Sequence, residues 1–269
     1  MELAHEDKNR LEYARELLEN PGLAAKMTNV MGVPIEKAFS YLPAKWSGSI
    51  QKITHQSLTH ALDIAVKTID PEEKKASRDI FHKCLAVVSG GIGGAFGLPA
   101  LAVELPVTTV IMLRSIADNA RSEGEDIRQI ETKLACLTVF ALGGTSEKDN
   151  FAESGYYAVR SLLAKQVSEA ARYIVEKGVA EQGAPALVRL IGAIASRFGV
   201  TVSQKAAATA VPVIGAAGGA LINSIFMDHF QNMARGHFIM RSLERKYGYD
   251  VIRRKYDDGS GLMIVSGGN

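Results

Sequence analysis

Cysteine is almost missing: Cys84 and Cys136 are the two thiols in 269 residues. Two thiols cannot build a disulfide framework, so a reducing compartment fits the chain, and the expected location is cytoplasmic with peripheral contact at the inner membrane. Aromatic residues are scarce at 7%, with one tryptophan, so any core has to be largely aliphatic. No charge sign dominates. Lys and Arg number 31 against 29 Asp and Glu, a balance that argues against a dedicated nucleic-acid binder. The N-terminal residues Met1-Glu2-Leu3-Ala4-His5-Glu6-Asp7 contain no apolar run, so no secretory signal is expected there. Strict apolar–polar alternation is absent too, which removes the pattern a half-buried strand leaves. With 47% hydrophobic and 22% charged residues the chain is not disordered, and its length suffices to bury a core without staples.

Apolar residues recur at three- and four-residue spacing instead, and the expected fold is all-α. Asp70-Pro71-Glu72-Glu73 reads as a helix start, followed by Ala76, Ile80, Cys84 and Val87. Tyr156, Val159, Leu163, Val167, Ala170 and Ile174 form a second stripe, with Lys165, Ser168, Arg172 and Glu176 facing away. A third face carries Phe226, Phe230, Met233, His237, Met240, Leu243 and Tyr247, and Gly248 follows as a C′ residue. Gly143-Gly144 ends a helix, Gly183-Ala184-Pro185 opens one, and Phe198-Gly199 is expected to close it. One helical domain over residues 8–256 follows, with a mobile tail over 257–269.

Two apolar segments stand out. Residues 85–113 hold one charge, Glu104, and residues 206–227 hold none. Each carries small residues four apart: Ser89, Gly93 and Gly97 in the first, Gly215 and Gly219 in the second. The second is long enough to span a bilayer, since about 20 helical residues cover the hydrocarbon core. The first is broken by glycines and by Pro99 and Pro106. The favoured arrangement is a single domain with two central glycine-rich apolar helices wrapped by amphipathic ones. A permanently inserted pair, or a soluble form able to insert, are the alternatives.

Catalytic motifs are missing. There is no HExxH, CxxC or GxSxG, and no Gly-Lys pair for a phosphate loop, so no metal and no cofactor are expected. His55 and His60, five apart, point to different helix faces, and Cys84 reads as structural. The lead is polar groups in apolar company: Glu104, Arg114 and Asp118, with Asn223, Asp228 and His229 at the end of the second segment. Glu104 paired with Arg114, or with backbone N–H groups near Pro106, would form an interior network; the alternative is a polar focus lining a ligand site. A basic stretch follows in Arg235, Arg241, Arg245, Lys246, Arg253, Arg254 and Lys255, suited to anionic lipid or to an ordinary solvated helix end.

Several ordered blocks resemble the EcsC protein family. They are Gly90-Gly91-Ile92-Gly93-Gly94-Ala95-Phe96-Gly97-Leu98-Pro99-Ala100, Glu104-Leu105-Pro106-Val107-Thr108-Thr109, Leu113-Arg114-Ser115-Ile116-Ala117 and Arg121-Ser122-Glu123-Gly124-Glu125-Asp126. Cys136 to Gly144, and Val211-Pro212-Val213-Ile214-Gly215-Ala216 with Asn223, continue the resemblance, which is to Gram-negative members. It implies an α-helical bacterial protein and transfers no catalytic residue. The expected function is a non-enzymatic module for a lipid-like hydrophobic ligand or a membrane surface. The alternatives are a hydrolase centred on Glu104, Asp118 and His229, and an interaction partner of a membrane transporter or secretion system. No nucleic acid is expected as a partner.

Overall fold

The computed structural model describes residues 2–19, 22–68, 98–143, 155–177, 184–211 and 215–266. Ten α-helices and two 3-10 turns make up their regular structure, and no strand occurs among the described residues. In chain order the helices are α1 (His5–Glu19), α2 (Leu23–Met31), α3 (Ile35–Ala38), α4 (Trp46–Thr68) and α5 (Leu98–Ser122). They continue as α6 (Ile130–Thr138), α7 (Tyr156–Lys177), α8 (Pro185–Ala210), α9 (Gly215–Tyr247) and α10 (Tyr249–Ser266). The all-α expectation holds. The helix expected to start at Asp70, together with Cys84 and the ladder Ser89, Gly93 and Gly97, lies outside the described residues.

The 33-residue α9 is the axis, about 50 Å long at 1.5 Å per residue. Its predicted apolar face is buried from Phe226 through Leu243, with Tyr247 half-buried at the end. Gly248 then takes φ +91° and donates its N–H to the Glu244 carbonyl at 2.9 Å. The α7 stripe is buried as its spacing predicts, apart from the half-buried Val167. Much of the small aromatic complement is spent in one place. Phe140, Phe198, Phe226 and Phe230 pack tilted or edge-to-face in a cluster with neighbouring centroids 4.9–5.4 Å apart, joining α8 and α9 to the 3-10 turn Val139–Ala141.

Two sequence expectations need correction. Helix α8 does not close at Phe198-Gly199 but runs to Ala210. A mid-helix glycine costs only about 1 kcal/mol, less than Phe198, Val202 and Ala206 gain by being fully buried. Residues 206–227 are not one helix. Val211 leaves the helical region with ψ 121° because it precedes Pro212, so the apolar stretch divides between the end of α8 and the start of α9. Helix α8 is instead the one described helix long and apolar enough to cross a membrane, with a little under half of that stretch buried. Helix α10 runs from Tyr249 to Ser266, with Ile252 and Tyr256 buried near its start.

Gly143, which ends the 3-10 turn, has φ +72°. A Cβ placed there would lie 2.6 Å from His229 Cε1 and 2.9 Å from Met233 Sδ. Both the backbone conformation and the space demand glycine. Gly143→Ala is expected to lower the unfolding free energy by about 2–4 kcal/mol, combining left-handed strain with overpacking. Denaturant melts check this, and an unchanged midpoint would show that His229 and Met233 yield freely.

Candidate functional site

Glu104 is the natural starting point. Helix α5 is continuous through Pro106, and Thr109 Oγ1 donates to the Leu105 carbonyl at 2.7 Å within it. That continuity sets Arg114 ten residues, or about 15 Å, along the same helix, so the expected Glu104–Arg114 pair cannot form. Glu104 instead accepts from Lys205 Nζ of α8 at 2.5 Å. The Lys205 side chain is 1% exposed and its ammonium lies 4.8 Å from the centroid of the Phe226 ring. Three helices therefore meet at one charge pair, with Glu104 itself 16% exposed. Asn223, one turn before Phe226 on α9, has an enclosed Oδ1 with no hydrogen-bond partner among the described residues.

The other predicted members do not join this pair. Asp118 is exposed and bound to Arg121 at 2.9 Å rather than to Arg114. Arg114 Nη1 is enclosed without a partner among the described residues. Asp228 is exposed while its neighbour His229 is 2% exposed, because adjacent helical residues point about 100° apart around α9. Neither His229 nitrogen has a partner among the described residues. Burial, and then Lys26, push the His229 pKa down to about 4. Cys136 is also buried, and burial raises its thiol to about 12, which keeps it protonated and unreactive.

The basic stretch is largely occupied. Arg241 grips Glu125 through Nε at 2.7 Å and Nη2 at 3.0 Å, and Arg245 binds the same carboxylate. Burial works against the Glu125 charge, but these two guanidinium groups outweigh it and hold the carboxyl below its usual range. Lys246 binds Asp7 at 2.6 Å. Arg253 faces Asp257 at 3.9 Å, and Arg254 donates to the Asp250 carbonyl oxygen. Arg235 meets Tyr13 Oη at 3.4 Å, and Lys255 is half-buried. The block Glu123-Gly124-Glu125 thus acts as a clamp between α5 and the C-terminal half of α9.

Sequence reasoning missed two features. Lys205 is visible in the sequence as the cation directly before the uncharged segment 206–227, but its 101-residue separation from Glu104 hides the contact. The second is the buried group around Arg160, which binds Glu244 bidentately at 2.7 and 2.9 Å and lies over the rings of Tyr156, Tyr157 and Tyr249. Tyr157 Oη donates to Glu244 at 2.8 Å, and Tyr156 Oη pairs with His237 Nδ1 at 2.9 Å. Burial, then Arg160 and Arg241, hold His237 well below its ordinary pKa.

The sites on α9 fall at its two ends. Glu104 and Phe226 bring the first halves of α5 and α9 together, and Glu125 with Arg241 joins their far ends, so the two helices run parallel. Leu221 and Arg245 are 24 residues apart, about 36 Å, and cannot belong to one small site. The described groups with metal-ligating chemistry form no cluster of three or more.

An all-helical domain knit by a buried charge pair at one end and a carboxylate clamp at the other is the class defined by these features. Residues 12–243 match the EcsC protein family, and the chain belongs to that family. No curated protein and no solved structure matches it significantly.

Proposed function

We propose that this EcsC protein is a non-enzymatic module that engages a membrane surface or a lipid-like ligand through the end of the bundle where α5 and α9 begin. The observation that supports this reading is the exposure of Val103 (66%), Val107 (41%) and Leu221 (50%) at that end. Glu104, the nearby charge, is already neutralised by Lys205. Exposed aliphatic side chains with few free charges suit an apolar environment better than a charged partner. The hydrolase alternative has less support, because Glu104 is paired to Lys205, Asp118 is exposed beside Arg121, and His229 is buried without a partner.

Flotation with phosphatidylcholine vesicles tests the proposal. Binding should change little with added salt, because the contact is apolar, and Val103→Asp with Val107→Asp should reduce it severalfold. Native mass spectrometry should find co-purified lipid if a single ligand is held instead. No flotation in any condition, with no lipid bound, would leave the partner-protein reading ahead.

A further inference from the structure

At the opposite end, α1 lies antiparallel on the C-terminal half of α9. Asp7 meets Lys246 and Tyr247 there, while Ala14 and Leu18 meet Gly236. Helix α1 is acidic, with Glu6, Asp7, Glu12, Glu16 and Glu19 against Lys8, Arg10 and Arg15. Of the cations on this half of α9, α1 touches Lys246 through Asp7 and Arg235 through Tyr13, while Arg241 and Arg245 are held by Glu125. Part of the contact between the two helices is polar. Asp7 accepts from Lys246 Nζ at 2.6 Å and Tyr247 Oη at 2.7 Å, and the Ala4 N–H donates to Tyr247 Oη at 3.2 Å. Arg10 turns instead to Glu123, just past the end of α5, at 2.5 Å. Few aliphatic residues of α1 are buried, namely Leu11, Ala14 and Leu18. The approach is close enough that a Cβ at Gly236 would lie 2.7 Å from Leu18 Cγ and 3.0 Å from the Ala14 carbonyl oxygen.

Between Gly236 and Tyr247, the same face of α9 carries Met240 and Leu243. Without α1, that face would present aliphatic side chains flanked by Lys246 and Arg235, with Tyr247 and the 39% exposed Tyr249 at its end. Cations and tyrosines bordering an apolar stripe are the composition that settles at the headgroup boundary of a bilayer. We propose that α1 is an acidic strap occupying, within the chain, a surface of α9 that fits an anionic phospholipid bilayer, and that displacing the strap uncovers it. The Asp7 carboxylate stands where a lipid phosphate would sit, on Lys246. This surface is separate from the Val103 end, so either can fail without the other.

The test uses the full chain with phosphatidylglycerol or phosphatidylcholine vesicles, at low and high salt. Asp7→Asn and Gly236→Ala each loosen α1, and hydrogen exchange reports whether its amides lose protection. Each is expected to raise binding to phosphatidylglycerol about fivefold, for the one cation, Lys246, that α1 releases. The gain should disappear at high salt, be absent on phosphatidylcholine and persist with Val103→Asp. Lys246→Gln breaks the same contact as Asp7→Asn but removes the cation, so its gain should be smaller. The proposal is overturned if α1 stays fully protected in both loosened variants, if α1 opens without any gain, or if the gain is equal on phosphatidylcholine.

Discussion

Glu104→Ala should destabilise the protein by about 3 kcal/mol, because it strands an ammonium that is 1% exposed beneath Phe226. For a domain of this size that is a fall in melting temperature of roughly 8 °C. The value comes from the abandoned charge more than from the pair itself. Glu104→Leu combined with Lys205→Met removes both charges and keeps the volume, and it should return the stability to within about 1 kcal/mol of the wild type. Thermal and denaturant melts of Glu104→Leu, Lys205→Met and the double variant form a complete cycle. A coupling energy near zero would show that Lys205 draws its stabilisation from the Phe226 ring or from solvent and not from Glu104.

Acid should weaken the fold well before the carboxylates are fully protonated. An unfolded histidine binds a proton below about pH 6.5, whereas His229 in the folded chain resists until about pH 4. Across that window the unfolded state holds more protons, so stability falls as pH falls. The stability is complete above pH 6.5 and is reduced by on the order of 3 kcal/mol near pH 4. His237 acts in the same direction, since burial and the nearby Arg160 and Arg241 depress it too. The groups bearing on these rings include Lys26 at His229, and Arg160 and Arg241 at His237, so protonation brings like charges together. His229→Leu removes two buried nitrogens that have no partner among the described residues. It should leave stability at neutral pH unchanged or slightly raised, and flatten the slope between pH 6.5 and 4. An identical slope in that variant would mean His229 takes up its proton without cost.

Glu125 responds in a lower window. Its carboxyl is held below the usual range by Arg241 and Arg245, so the stability it contributes is present above the ordinary carboxylate pKa and is lost as pH falls through the depressed one.

The sequence alone determined the fold class and several element boundaries. Helical spacing marked the buried faces of α7 and α9, Pro185 marked the start of α8, and Gly143 and Gly248 marked helix ends, because these are local effects of side-chain periodicity and backbone freedom. It also exposed Glu104 as a charge needing a partner. The tertiary structure chose that partner, since Lys205 reaches Glu104 only after α5 and α8 pack together. It likewise carried α8 past Gly199, where burial of Phe198 outweighs the cost of a glycine, and split the second apolar segment at Val211. Of the basic stretch, which the sequence offered as a lipid surface or a solvated helix end, Arg241 and Arg245 fold against Glu125 and Lys246 against Asp7. Charge counts along a chain do not reveal which distant carboxylates will fold against it. Pairing is settled by long-range packing, and local periodicity carries no information about it.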